Sequence, residues 1–134
     1  MLLAGLAVFF VMIMAARSDP LQAASQIDEI LLGEKADANG VVEMPQDRFT
    51  STTAAIKGTV YIDGAEKGQK VTIELIYTTR NLKILTMRED LPSAGKVTFT
   101  FVLAKPDKGW PKGDYKMVIS TSGGATKDVS FQVK

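Results

Sequence analysis

From residue 56 onward, apolar and polar side chains alternate with a period of two. Ile56, Val60 and Ile62 interleave with Lys57, Thr59 and Tyr61, and Val71, Ile73, Leu75 and Tyr77 with Thr72, Glu74, Ile76 and Thr78. Val97, Phe99, Phe101 and Leu103 interleave with Thr98, Thr100 and Val102; Tyr115, Met117 and Ile119 follow, and Val129, Phe131 and Val133 close the chain. Leu82 to Met87 is a further apolar-rich run. This period puts one set of side chains on one face of an extended segment. The Val and Thr content favours strands as well. Turn signals punctuate the pattern at Asp63-Gly64, Thr79-Arg80-Asn81, Pro92-Ser93-Ala94-Gly95 and Ser122-Gly123-Gly124. Upstream, Ile27, Ile30, Leu31 and Leu32 read as a strand ending at Gly33, and Asp37-Ala38-Asn39-Gly40 as a turn before Val41-Val42. Asp37, Asn39 and Gly40 share part of a calcium-loop spacing, but the other acidic ligands are missing, so a turn is the expectation. Roughly seven short strands with no long helix between them predict a mainly β chain, folded as an antiparallel two-sheet sandwich.

The chain opens differently. "MLLAGLAVFFVMIMAA" carries no charged or strongly polar side chain before Arg17. As a helix these residues rise about 24 Å against a hydrocarbon core of about 30 Å, short for a span but workable if the bilayer thins locally. Residues 1–17 are therefore expected to form a single transmembrane anchor. A cleaved signal peptide is the competing expectation, with Ala23-Ala24-Ser25 as its small-residue site; against it stand the absence of Lys or Arg before the apolar run and the distance of that site from the run. Residues 18–26 form a connector in which Asp19, Pro20 and Gln22 carry the cap signals of a short helix, and 27–134 the β-domain. Within the anchor Ala4, Gly5 and Ala7 offer a small-residue surface for helix packing, and Phe9 and Phe10 follow it. Arg17 just after the span argues for a cytoplasmic domain, but Asp19 balances it. The β-domain is nonetheless expected outside the cytoplasm.

Composition removes whole classes of chemistry. The 134 residues include no histidine and no cysteine. Ser-His-Asp and Cys-His catalysis, zinc–thiolate sites, disulfides and a lipid-modified cysteine therefore cannot be built. A Ser-Lys, threonine or carboxylate mechanism stays open; Ser93 and Ser120 have lysines nearby in sequence. No catalytic, cofactor-binding or metal-binding residue is singled out. An apolar share of 46% and a charged share of 23% suit a packed domain, and a net charge of +1 gives no general attraction to nucleic acid.

The sole tryptophan lies in "GWPKGDYKMVIS", Gly109 to Ser120. Gly113-Asp114-Tyr115-Lys116-Met117 has the Gly-x-Tyr-x pattern of the penultimate strand of immunoglobulin-type sandwiches, with Met117 where antibody domains carry a cysteine. With the closing "DVSFQVK", and a wider layout of about 100 residues, the chain resembles bacterial extracytoplasmic immunoglobulin-like domains that end in a Trp-Pro-x-Gly-x-Tyr strand, a Gly-rich hairpin and a Phe-x-Val strand. The cysteine pair and the third-strand tryptophan of antibodies are absent. The resemblance implies that Tyr115 bonds back onto the crossing before its strand, that Pro111 stiffens this crossing and that Trp110 caps the open end. It implies no shared catalytic residues, because such domains serve as spacers, adhesins and accessory subunits.

The expected function is that of a non-catalytic, membrane-anchored accessory subunit of a larger membrane complex of respiratory, photosynthetic, transport or secretion type. Its partners are integral-membrane subunits and, through the N-terminal helix, the bilayer; its β-domain faces the periplasm. The alternative is a secreted or tethered module that binds a ligand or surface through its loops. Trp110, Lys108 and Lys112 are the candidate interface residues, against a packing role for the indole and ordinary solvation for the lysines. Lys105 and Lys116 add to the basic character of this stretch, and Asp107 and Asp114 offset it.

Overall fold

The computed structural model describes residues 25–134. The expected anchor over 1–17, with Ala4, Gly5, Ala7, Phe9 and Phe10, and the helix start at Asp19-Pro20 lie outside the described residues. The chain is mainly β. Its strands are β1 (Gln26–Gly33), β2 (Lys35–Ala36), β3 (Val42–Glu43), β4 (Arg48–Phe49), β5 (Ala55–Ala65), β6 (Lys70–Tyr77), β7 (Leu82–Asp90), β8 (Gly95–Ala104), β9 (Gly113–Thr121) and β10 (Thr126–Val133). They form a five-stranded sheet in the order β4-β10-β9-β6-β7, a three-stranded sheet β1-β5-β8, and the small β2-β3 ribbon. Neighbours run antiparallel except β4, which pairs in parallel with β10 through Arg48–Gln132 and Phe49–Val133.

The two larger sheets fill one core with alternate side chains. Ile56, Val60, Ile62, Phe99, Phe101 and Leu103 enter it from the three-stranded sheet; Val71, Ile73, Leu75, Tyr115, Met117, Ile119 and Phe131 enter from the five-stranded one. Each fully buried aliphatic or aromatic side chain contributes about 1.5–3 kcal/mol relative to exposure. With no disulfide, this burial is what joins the sheets, and Met117 is fully buried at its centre.

Three local features depart from the alternating pattern. Asp63-Gly64, expected to be a turn, lies inside β5 at an irregularity where pairing with β8 jumps from Ile62–Val97 to Ala65–Gly95. Gly64 supplies the positive φ of 72° needed there, and the chain reverses later, where Gln69 N donates to Glu66 O at 3.1 Å. β4 carries no periodic signal, being two residues long, yet it buries Phe49 edge-on to Phe131, with centroids 5.6 Å apart. The loop from 34 to 44 folds over the outer face of the three-stranded sheet. There Thr59 is fully buried and its Oγ1 accepts from Val42 N at 2.9 Å, so Val42 is buried outside the main core. Within this loop Asp37 Oδ1 accepts from Asn39 N and Val41 N at 2.8 and 3.0 Å, so the carboxylate holds its own turn together.

Candidate functional site

The five-stranded sheet is two strands wider than the sheet it faces, and its outermost strand on one side is β7. The apolar side chains there are incompletely covered: Leu82 is 52% exposed and Ile84 42%. A bulge sharpens this. Leu75 pairs with Leu85, the next pair is Ile76–Lys83, and Ile84 is the extra residue left over. The opposing wall comes from β8, where Val102 is 59% exposed and Leu103 and Ala104 continue the apolar lining. Pro106, Trp110 and Pro111 close one end. The result is an apolar groove of about 560 Å³ beside Leu82, Ile84 and Trp110, which runs on into a hollow of about 310 Å³ between β7 and β8.

The crossing from β8 to β9 forms the rigid end of this groove. Gly109 N donates to Pro106 O at 2.8 Å, and Trp110 N to Ser51 O at 3.0 Å. The indole Nε1–H donates to Thr53 O at 2.9 Å. Two phenols then take successive carbonyls: Tyr115 Oη donates to Pro111 O and Tyr77 Oη to Lys112 O, each at 2.5 Å. Tyr115 also lies parallel to Phe131 with ring centroids 4.9 Å apart, and its ring is 5.0 Å from that of Tyr77. A segment fastened at this many points presents its apolar side chains in one arrangement, which lowers the ordering cost of binding.

Burial, and secondarily the neighbouring Tyr77, push the Tyr115 phenol up to about 12 from 10.0. Folding therefore keeps this proton bound longer than the unfolded chain does. The associated stability is complete below pH 10 and is lost as pH climbs from 10 toward 12. Tyr115→Phe is expected to cost about 1–2 kcal/mol at neutral pH, for the orphaned Pro111 carbonyl. It should also flatten the alkaline fall, as measured by urea unfolding at a series of pH values; an unchanged slope would contradict this assignment.

Of the residues expected at an interface, Trp110 is only 4% exposed and serves as wall, not as a protruding anchor. Lys108 is exposed and lines the groove; Lys112 is exposed next to Pro111. Lys116 does not join them, since it sits in β9 opposite Ile76 and Ser130, in the pairing positions that alternate with the core residues Tyr115 and Met117. Arg80, Leu82, Ile84 and Val102 belong to the groove and were not expected there. Leu82 pairs with Tyr77, in phase with the core residue Leu75; Ile84 is the bulge residue that breaks the alternation, and Val102 holds the outward position between Phe101 and Leu103 on an edge strand. Ser93 is exposed in a bend, and Ser120 opens onto a shallow polar hollow with Lys70, Thr72 and Arg88. Lys70 there pairs with Asp90. Among the described residues no helix is long and apolar enough to cross a membrane.

No family model matches the chain, and no curated protein matches it. Three solved structures are distantly similar. A β-glucuronidase from Bifidobacterium dentium, complexed with coumarin-3-O-glucuronide, aligns over 83% of this chain and 18% of its own at 14% identity and a TM-score of 0.48. An alkylpurine DNA glycosylase from Pseudomonas fluorescens, bound to DNA containing an abasic site analog, aligns over 84% of this chain and 31% of its own at 9% identity and a TM-score of 0.44. A superoxide reductase (neelaredoxin) from Ignicoccus hospitalis aligns over 83% and 80% at 11% identity and a TM-score of 0.41. The chain thus spans less than a third of the first two, and none of the three activities transfers to it.

Proposed function

We propose that this chain is a non-catalytic accessory subunit of a larger membrane complex. Its apolar N-terminus is held in the bilayer, and an immunoglobulin-like sandwich stands on the extracytoplasmic side. The observation that carries the reading is the apolar groove, because a rigid scaffold that leaves Leu82, Ile84 and Val102 in water has a surface to cover. The immunoglobulin-like assignment draws support from the strand order and from the bond between Tyr115 Oη and the Pro111 carbonyl four residues upstream, the geometry of a tyrosine corner. The sixteen residues before Arg17, all without charge, support the anchor.

A second reading, a tethered module that binds a soluble ligand, is favoured by one feature. Ser25 is fixed at the far end of the domain, its Oγ 2.7 Å from Thr121 Oγ1, so the groove lies at the end away from the tether. Native electrophoresis of mildly solubilised membranes separates the two. The accessory role predicts that the 14.5 kDa chain migrates in a larger assembly and begins near residue 1 by intact mass. Recovery as a free soluble chain starting near residue 26 would overturn it.

A further inference from the structure

Resting on the accessory role, we propose that the groove between β7 and β8 receives an extended polypeptide segment of a partner subunit. This segment would carry apolar side chains along one face and carboxylates at the end that meets Arg80 and Lys108.

The conformation follows from the edges. β7 pairs only with β6, and β8 only with β5, so each wall of the groove carries a row of main-chain groups without a strand partner. An extended segment can hydrogen-bond to such a row and turn alternate side chains into an apolar hollow; a helix satisfies its own backbone and leaves the row open. The vacant position beside β8 is also where a fourth strand would narrow the mismatch between a three-stranded and a five-stranded sheet, over Leu82 and Ile84.

The charge follows from the rim. Arg80 and Lys108 line the groove, with Lys105 and Lys112 beside it, and Asp107 is the carboxylate among them. The ion pairs among the described residues, Lys70–Asp90, Lys83–Glu74 and Lys96–Asp63, involve none of these cations. An acidic segment therefore gains ion pairs that these cations do not already make. A second copy docked groove to groove would bring the same cations together and is disfavoured for that reason. The chain's own bilayer is disfavoured by position: nine-residue β9 runs from the crossing to the end that holds Ser25, a separation of about 30 Å.

The test uses the full chain in uncharged detergent micelles. Its probe is a fluorescein-labelled peptide of alternating valine and threonine with two glutamates at one end, and a twin with lysines replaces them in the control. Saturable binding of the glutamate peptide is expected, weakened about tenfold by the lysine twin or by combining Arg80→Glu with Lys108→Glu. Ile84→Asp should weaken it at least as much, and raising salt from about 0.05 to about 0.5 M should reduce it. Lys127→Glu, on β10, should leave it unchanged. Arg80, Ile84, Lys108 and Lys127 are exposed, so the variants should keep the parent melting temperature, which is measured alongside. Four outcomes would each overturn the proposal: no saturable binding, affinity indifferent to both groove variants, dimerisation that those variants abolish, or binding of phosphatidylcholine–phosphatidylglycerol vesicles (about 3:1) through the same residues in place of the peptide. Native electrophoresis keeps the two ideas apart. An Ile84→Asp chain that still enters the assembly sinks the groove and spares the accessory role, whereas a parent chain that enters none sinks the role itself.

Discussion

Trp110→Ala should lower folding stability by about 3–5 kcal/mol and destroy the groove's closed end. The indole is the largest side chain in the crossing and is 4% exposed, so its removal opens a cavity where the edge of the core meets the apolar groove. The Thr53 carbonyl, which accepts from Nε1 at 2.9 Å, is orphaned at the same time. Trp110→Phe isolates that second loss and should cost about 1–2 kcal/mol, because most of the apolar volume remains. In thermal unfolding the alanine variant should melt roughly 10–20 °C below the parent. A shift of only a degree or two would mean that the crossing is held by its backbone bonds alone. It would also remove the case for a preorganised wall, since the groove would then rest on a segment indifferent to its largest side chain.

How far the sequence revealed this arrangement depends on the range of the interaction concerned. Period-two alternation located β5, β6, β8, β9 and β10, because burial on one face of a strand dictates that pattern directly. The crossing before β9 was visible where its bonds are local, as in Tyr115 donating to the Pro111 carbonyl four residues upstream, whereas the Trp110 indole reaches Thr53, 57 positions away, a partner that no local pattern shows. Features that depend on how many strands a sheet has were not visible. Leu82 and Ile84 look like core residues and would be so if a strand lay over β7. Phe49 sits in a two-residue strand, where alternation has no meaning, and its burial depends on parallel pairing with residues more than eighty positions away. Asp63-Gly64 is a good turn signal used for a different purpose, since a positive φ serves a bulge as well as a reversal. Thr59 illustrates the same limit on the outer face, where the loop that carries Val42 covers a position that alternation assigns to solvent.

Gly58→Ala should destabilise the domain by about 3 kcal/mol, at the upper end of the usual overpacking range. Elsewhere in a strand the same change tends to stabilise by about 0.5–1 kcal/mol, because alanine loses less backbone entropy on folding. Here a Cβ would stand 2.1, 2.4 and 2.6 Å from Cζ, Cε1 and Cε2 of Phe101, the residue paired with Gly58 across β5 and β8. The Phe101 ring lies flat over the glycine and is buried, with Phe99 6.3 Å away, so it has little room to swing aside. The pair works as a unit: the missing side chain makes the space that the ring fills. Phe101→Leu alone should cost about 1–2 kcal/mol for lost volume. Combined with Gly58→Ala it should cost clearly less than the sum, with a coupling of about 1–2 kcal/mol, because leucine vacates the space that the new methyl needs. Urea unfolding of the four chains closes the cycle. Additive losses would show that the ring and the glycine are independent, and the close approach of β5 and β8 at this point would then need another cause.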